Sequence, residues 1–211
     1  MADGHLTDIP LDSVYSGVVS LRGFRLTLFL AELNKLELWA TDIGNAYLEA
    51  QTSEKVYIIA GPEFGDREGH ILVIHKALYG LRSSGARWHD KFADCLRDIG
   101  FQPCKAEPDI WMRRNGNIYE YIAVYVDDLA IAMVKPQDFA DTLQDTYKFK
   151  LKGTGPISFH LGMEAIFRRR GTRLGHGGRA PTCRANRPWC WRGRADPRTE
   201  PVTLIMRMKQ L

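Results

Sequence analysis

Two adjacent aspartates, Asp127 and Asp128, stand between two apolar runs, residues 122–126 and 129–132, and no other feature limits the fold as tightly. Runs this apolar read as strands buried in a sheet rather than a casual surface hairpin, with the acidic pair at the tight turn that joins them. Adjacent carboxylates held there repel each other, and partial burial further disfavours their charged forms. A divalent cation relieves both effects, because hard ions such as Mg2+ take carboxylate oxygens and complete an octahedron with phosphate and water. An Asp-Asp pair alone is common in solvated turns; the apolar flanks turn the reading towards chemistry.

Asp42 is the second acidic point. It ends an apolar stretch, residues 38–43, and is followed by Gly44, Asn45 and Ala46. Small residues after a strand-end carboxylate would let a phosphate-bearing ligand approach the backbone. A turn-forming role is the alternative for Asp42 taken alone. Together with Asp127 and Asp128 it makes the smallest set that could run a two-metal phosphoryl transfer.

The rest of the pattern predicts an α+β fold: an antiparallel sheet with helices packed on one face. Residues 20–38 carry Leu21, Phe24, Leu28, Ala31 and Leu36 at roughly helical spacing, with Ser20 as N-cap. Residues 45–49 read as a turn into a short helix. Residues 56–60 and 70–75 read as strands joined by a turn-rich connection over 61–66. Residues 83–99 form an amphipathic helix with Trp88, Phe92, Cys95, Leu96 and Ile99 on one face, and Gly100 ends it. Residues 109–114 and 118–126 flank Asn115-Gly116-Asn117, a hairpin turn, and a second turn at Asp127-Asp128 leads into the run 129–134. Pro136 opens a helix bearing Phe139, Leu143 and Tyr147, and short strands are expected over 149–152 and 159–166.

Five segments, in order, carry a family resemblance. Thr41-Asp42-Ile43-Gly44-Asn45-Ala46-Tyr47-Leu48 resembles motif A of reverse transcriptases. Val56-Tyr57-Ile58 and Gly61-Pro62-Glu63-Phe64-Gly65 match the connection that follows. Leu78-Tyr79-Gly80-Leu81-Arg82-Ser83-Ser84-Gly85-Ala86-Arg87-Trp88 resembles the copia-type motif before the long palm helix. Tyr125-Val126-Asp127-Asp128 is similar to the catalytic hairpin, and residues 153–164 to the primer-contacting segment. The resemblance covers roughly residues 12–167 and implies a polymerase palm with partial fingers.

It also implies roles. Asp42, Asp127 and Asp128 would be the catalytic carboxylates. Together with the Ile43 carbonyl they would hold two Mg2+ ions, Mn2+ being a substitute. Tyr47, as steric gate, would line the deoxynucleoside triphosphate pocket with Ile43, Tyr79 and Gly80; a core tyrosine is the alternative. Tyr125, Arg82, Arg87, Leu161, Gly162 and Met163 would meet primer and RNA or DNA template, with Trp88 a helix-packing residue. Family fingers begin well before the equivalent of Asp12, and a thumb should follow Glu164. Neither is recognisable here, so the other Pol segments are expected partners and the fragment is expected to be inactive alone. A non-enzymatic retrotransposon relic that binds nucleic acid and an unrelated metal-dependent phosphotransferase are the competing readings.

Charge divides the chain where the resemblance stops. Residues 1–165 carry a net −6 and residues 166–211 a net +10, which together give the +4 of the whole. The domain reading is a poorly ordered leader over 1–14, the palm over 15–167 and an irregular Arg/Gly/Pro-rich tail over 168–211. Two origins are open for the tail: a shifted reading frame, or a basic nucleic-acid-binding extension with Trp189 and Trp191 for base stacking. Cys183 and Cys190 near His176 lack the paired spacing of a zinc site. No apolar run approaches the roughly 20 residues that span a bilayer. The polar start lacks a secretory signal, so an intracellular protein is expected, cytoplasmic or nuclear.

Overall fold

A computed structural model describes residues 14–157, 159–160, 163–169 and 202–208. Residues 1–13 of the expected leader, Leu161, Gly162, His176, Cys183, Cys190, Trp189 and Trp191 lie outside the described residues. Two units divide the chain, Met1–Gly155 and Pro156–Leu211.

Helix α1, Leu21–Leu33, starts at Ser20, whose hydroxyl accepts from the Gly23 N–H at 3.1 Å. Glu107 fixes that cap from outside, accepting from the Ser20 hydroxyl at 2.8 Å and its N–H at 3.1 Å. The helix stops five residues short of the expected end. Lys35 takes a positive φ of 55°, and the Leu36 N–H turns back to the Ala31 carbonyl at 2.9 Å. This is a Schellman ending without its usual glycine, which is why the sequence does not announce it. Helix α3, Ser84–Asp98, ends the same way at a residue built for it: Gly100 has φ 93°, and the Phe101 N–H reaches the Leu96 carbonyl at 2.9 Å.

The other elements as far as the boundary between the units follow in chain order. They are strand β1 (Glu37–Ile43), helix α2 (Ala46–Glu49), β2 (Tyr57–Ile59), a 3-10 segment (Pro62–Arg67), β3 (Ile71–Val73), α3 (Ser84–Asp98), β4 (Gln102–Pro103), β5 (Ile110–Asn115), β6 (Ile118–Tyr125), β7 (Asp128–Met133), α4 (Pro136–Asp145) and β8 (Leu151–Pro156). Six strands form one sheet in the order β4-β5-β6-β7-β1-β8, and β2 pairs with β3 apart from it. The pairs β4–β5, β5–β6, β6–β7 and β7–β1 are antiparallel. The class is therefore α+β.

The sheet presents two different faces, and helices cover both. On one, Leu129, Ile131 and Met133 of β7 join Ile122, Val124, Trp111 and Ile43 against Trp88, Phe92 and Leu96 of α3 and Phe139 and Leu143 of α4. On the other, alternation leaves the buried alanines Ala123, Ala130 and Ala132. There α1 lies against β6, β7 and β1 and buries Phe24 and Leu28. The expectation of helices on one face is corrected by these alanines: small side chains give a helix room to approach, and burying Phe24 and Leu28 then contributes on the order of 1.5–3 kcal/mol each.

The hairpin of β5 and β6 pairs Asn115 with Ile118, so its loop residues are Gly116 and Asn117. Gly116 has φ 59°, and a Cβ there would meet nothing within 4 Å. Gly116→Ala should therefore cost about 1 kcal/mol in urea denaturation through backbone strain alone. A neutral result would mean the loop can take another form.

In the second unit β9 (Phe159–His160), β10 (Met163–Arg169) and β11 (Val202–Met208) form a sheet in the order β11-β10-β9. The single strand expected over 159–166 is two, paired antiparallel with Met163 opposite His160. Among the described residues no helix is long and apolar enough to cross a membrane.

Candidate active site

Strands β1 and β7 bring distant parts of the chain side by side, and their register sets Asp42 directly opposite Asp128. Directly opposed residues share a sheet face. By alternation this is the face of Ala130 and Ala132, with Tyr125 on it opposite Asp128. The turn lies one residue earlier than the sequence suggests. Its loop residues are Val126 and Asp127, and Asp128 already begins β7. The Ile43 N–H donates to the Asp127 carbonyl at 2.9 Å, tying the end of β1 to the loop. Three acidic residues from two remote segments thus become neighbours.

Their electrostatics match a site short of positive charge. Burial pushes the Asp127 carboxyl above its ordinary range. Its own backbone N–H pulls it down, the Asp42 charge pushes it up, and Lys152 draws it down again. Asp128 is raised first by burial and then by the charges of Asp127 and Asp42. Asp42 keeps its Oδ1 buried with no hydrogen-bond partner. Leaving a carboxylate oxygen dehydrated and unpaired is unfavourable by about 1–3 kcal/mol or more. Among the described residues no group of three or more His, Cys, Asp or Glu side chains is placed so that it could by itself hold a metal ion. The donor chemistry nevertheless fits a hard divalent ion: all-carboxylate, mutually repelling, with an orphaned oxygen.

Val126 adds strain. It is β-branched yet sits at φ 57° in the first loop position, where glycine is at home. An L-residue there is disfavoured by roughly 1–2 kcal/mol. The Trp88 indole Nε1–H donates to the Val126 carbonyl at 2.8 Å.

Tyr47, just after α2 begins, and Tyr79, in the loop before α3, face each other with ring centroids 4.5 Å apart and planes tilted by 42°. Both phenols are raised by burial first and then by the Asp127 charge, so both lie within its electrostatic reach. Gly80 turns the loop with φ 103°. Arg82 is exposed ahead of α3, and Arg87 is half-buried in its first turn. Ile43 is wholly buried in the core, and Tyr125 is exposed. Met163 belongs to β10 of the second unit.

Gly44 has a different reason from the one its position suggests. A Cβ there would meet Lys152 Cε at 2.9 Å and the Lys150 carbonyl at 3.2 Å. The Gly44 N–H bonds that carbonyl at 2.7 Å, so the glycine serves the approach of the β8 segment. Lys152 itself is not legible as a site residue from its surroundings in the sequence, where it is one lysine among three at alternate positions. Only the fold reveals that its charge reaches Asp127.

A family model described as "Reverse transcriptase (RNA-dependent DNA polymerase)" matches residues 4–177. The chain is 28% identical over 154 residues to a retrovirus-related Pol polyprotein from transposon RE1 of Arabidopsis thaliana, covering 72% of this chain and 10% of that protein. It is 27% identical over 170 residues to the Pol polyprotein from transposon TNT 1-94 of Nicotiana tabacum, covering 79% and 13%. A putative transposon Ty5-1 protein of Saccharomyces cerevisiae is 27% identical over 125 residues, covering 58% and 41%. The chain therefore spans about a tenth of the length of the two plant polyproteins. No solved structure matches it.

Proposed function

Because the chain belongs to the reverse transcriptase (RNA-dependent DNA polymerase) family, we propose that residues 15–167 are the palm, with partial fingers, of a two-metal nucleotidyl transferase from a copia-type element. Its reaction is RNA-directed DNA synthesis on a primed template from deoxynucleoside triphosphates. The observation that carries this reading is the pairing of Asp42 with Asp128 beside Asp127, with one carboxylate oxygen buried and unpaired.

Asp42, Asp127 and Asp128, with the Ile43 carbonyl, would hold the two Mg2+ ions, and Mn2+ could replace them. When bound, the ions supply acidification of the primer 3′-hydroxyl and neutralisation of the leaving pyrophosphate. The residues of the chain do the positioning. Tyr47 presents a flat wall to the nucleotide sugar, and its ring leaves no room for a 2′-hydroxyl. Tyr79 backs that ring, and Gly80 lets the loop turn close to the nucleotide. Tyr125 on the carboxylate face and the guanidinium groups of Arg82 and Arg87 meet primer and template, the latter through backbone phosphates. Leu161, Gly162 and Met163 hold the primer end.

Polymerisation depends on orientation as much as on charge. Because the chain spans only about a tenth of the Pol polyproteins it matches, we expect it to need other Pol segments and to extend primers little or not at all alone. The test is Mn2+ binding to the full chain, followed by water-proton relaxation, with primer extension in Mg2+ alongside. Asp42→Asn should weaken Mn2+ binding by at least about tenfold, as loss of one charged ligand implies. Unchanged binding would remove the metal site from this reading. Robust Mg2+-dependent extension by the chain alone would overturn its dependence on partners. Salt-sensitive primer–template binding with no cation response would favour a nucleic-acid-binding relic instead.

A further inference from the structure

The ring of Trp88 is fixed before the acidic loop reaches it. It is almost fully buried, stacked on Phe92 at 5.3 Å and edge-on to Phe149 at 5.6 Å. Aromatic packing of this kind sets the direction of the indole N–H. That N–H points at the carbonyl of Val126, the one loop residue between β6 and β7 with positive φ, at 2.8 Å. On its other side the loop is held by the Ile43 N–H on the Asp127 carbonyl at 2.9 Å. A glycine at 126 would adopt this conformation unaided, whereas a β-branched valine has to be held in it.

We propose that Trp88 is the positioning residue of the acidic hairpin: its indole N–H holds the Val126 carbonyl, which keeps the strained loop in the form that carries Asp127 beside Asp42. The functional meaning of this device rests on the polymerase reading of those carboxylates. The device itself does not, because it is a matter of loop shape.

The two are separated by using two readouts on the full chain. The first is metal-free amide hydrogen exchange at Ile43, with Ile131 in the middle of β7 reporting global opening. Trp88→Phe keeps the ring and loses the donor. It should speed exchange at Ile43 by about tenfold relative to Ile131, the upper end of what one hydrogen bond carries. In a Val126→Gly background the same substitution should change that ratio by less than about twofold, because glycine needs no restraint. Ring packing alone would not be rescued by a glycine in the loop. An unchanged Ile43 ratio in Trp88→Phe, or an equally fast one in the double variant, overturns the proposal.

The second readout is Mn2+ affinity of the same four proteins, expected to fall with Trp88→Phe and to return in the double variant. A wild-type chain that binds no Mn2+, with the Ile43 pattern intact, would sink the carboxylate reading and leave the positioning role standing. Should Trp88→Phe fail to fold, the wild-type indole proton decides. It should exchange no faster than the Ile43 amide, and rapid exchange would overturn the proposal.

Discussion

Asp127→Asn and Asp128→Asn are each expected to make the metal-free protein more stable, and together to remove its response to divalent cations. Burial and the neighbouring carboxylates raise the folded-state pKa of both residues above the ordinary carboxylate range. A raised pKa means that the folded state holds its proton more tightly than the unfolded chain does. The favourable contribution of each group is therefore fully present below its unfolded value, about 3.9, and is lost as pH rises through the folded value. Above those folded values both groups are charged and the fold bears their repulsion. Asparagine keeps the shape without the charge, so each variant should gain about 1 kcal/mol, the usual scale when one unfavourable surface or site feature is relieved. Mn2+ at a hundred times its dissociation constant should stabilise the wild type by about 2.7 kcal/mol and the double variant by nothing measurable. Calorimetry with and without Mn2+, from pH 4 to 8, checks both signs. A double variant that responds to Mn2+ as the wild type does would mean that the acidic hairpin is not where the cation binds.

The same opposition between local stability and chemistry explains what the sequence could disclose. The acidic hairpin was readable because its flanks violate the habit of surface turns: five apolar residues on one side and four on the other leave a carboxylate pair no ordinary reason to be there. The elements before and after it were readable because Ser20, Gly100 and Pro136 carry capping chemistry in their own side chains or lack of one. What stayed hidden depends on groups that meet only in the fold. Lys35 ends α1 in a conformation that no lysine advertises. Ala123, Ala130 and Ala132 read as strand residues, and only the packing of α1 on them shows that both faces of the sheet are covered. Lys152 reaches Asp127 from a strand 25 residues downstream. Trp88 reads as a packing residue, which it is, while its single polar atom does something that helical periodicity cannot express. Periodicity reports which face a residue occupies; it is silent about where one N–H points.

Glu120→Ala is expected to be among the most destabilising single changes in the first unit. Glu120 belongs to the face of Ile122 and Val124, opposite to that of the catalytic candidates, and only 2% of it is exposed. It accepts from Arg113 Nη2 at 2.8 Å and Nε at 3.3 Å, from Asn115 Nδ2 at 3.1 Å and from the Val134 N–H at 3.1 Å. Burial alone would raise its carboxyl. The bonds from Arg113, Asn115 and Val134, together with the Arg113 charge, outweigh burial and hold it below its ordinary value. Alanine would leave Arg113 over the Phe101 ring, 4.5 Å from its centroid, with no carboxylate, and would strip the Val134 N–H of its acceptor just before α4. Removing one member of a fully buried pair is unfavourable by 3–5 kcal/mol. Arg113 is one third exposed and recovers some hydration, so about 3 kcal/mol is expected in urea denaturation at pH 7. Glutamine preserves shape and some acceptor capacity and should lose about half as much. The pH dependence has the opposite sign to that of Asp127 and Asp128. A depressed pKa gives stability that is present above the unfolded value, about 4.3, and is lost as pH falls through the folded value. The gap between wild type and Glu120→Gln should therefore close on acidification, while the gap between wild type and Asp128→Asn opens as pH rises from the same region. A Glu120→Ala loss below about 1 kcal/mol would mean that water replaces the carboxylate and that the network is not truly buried.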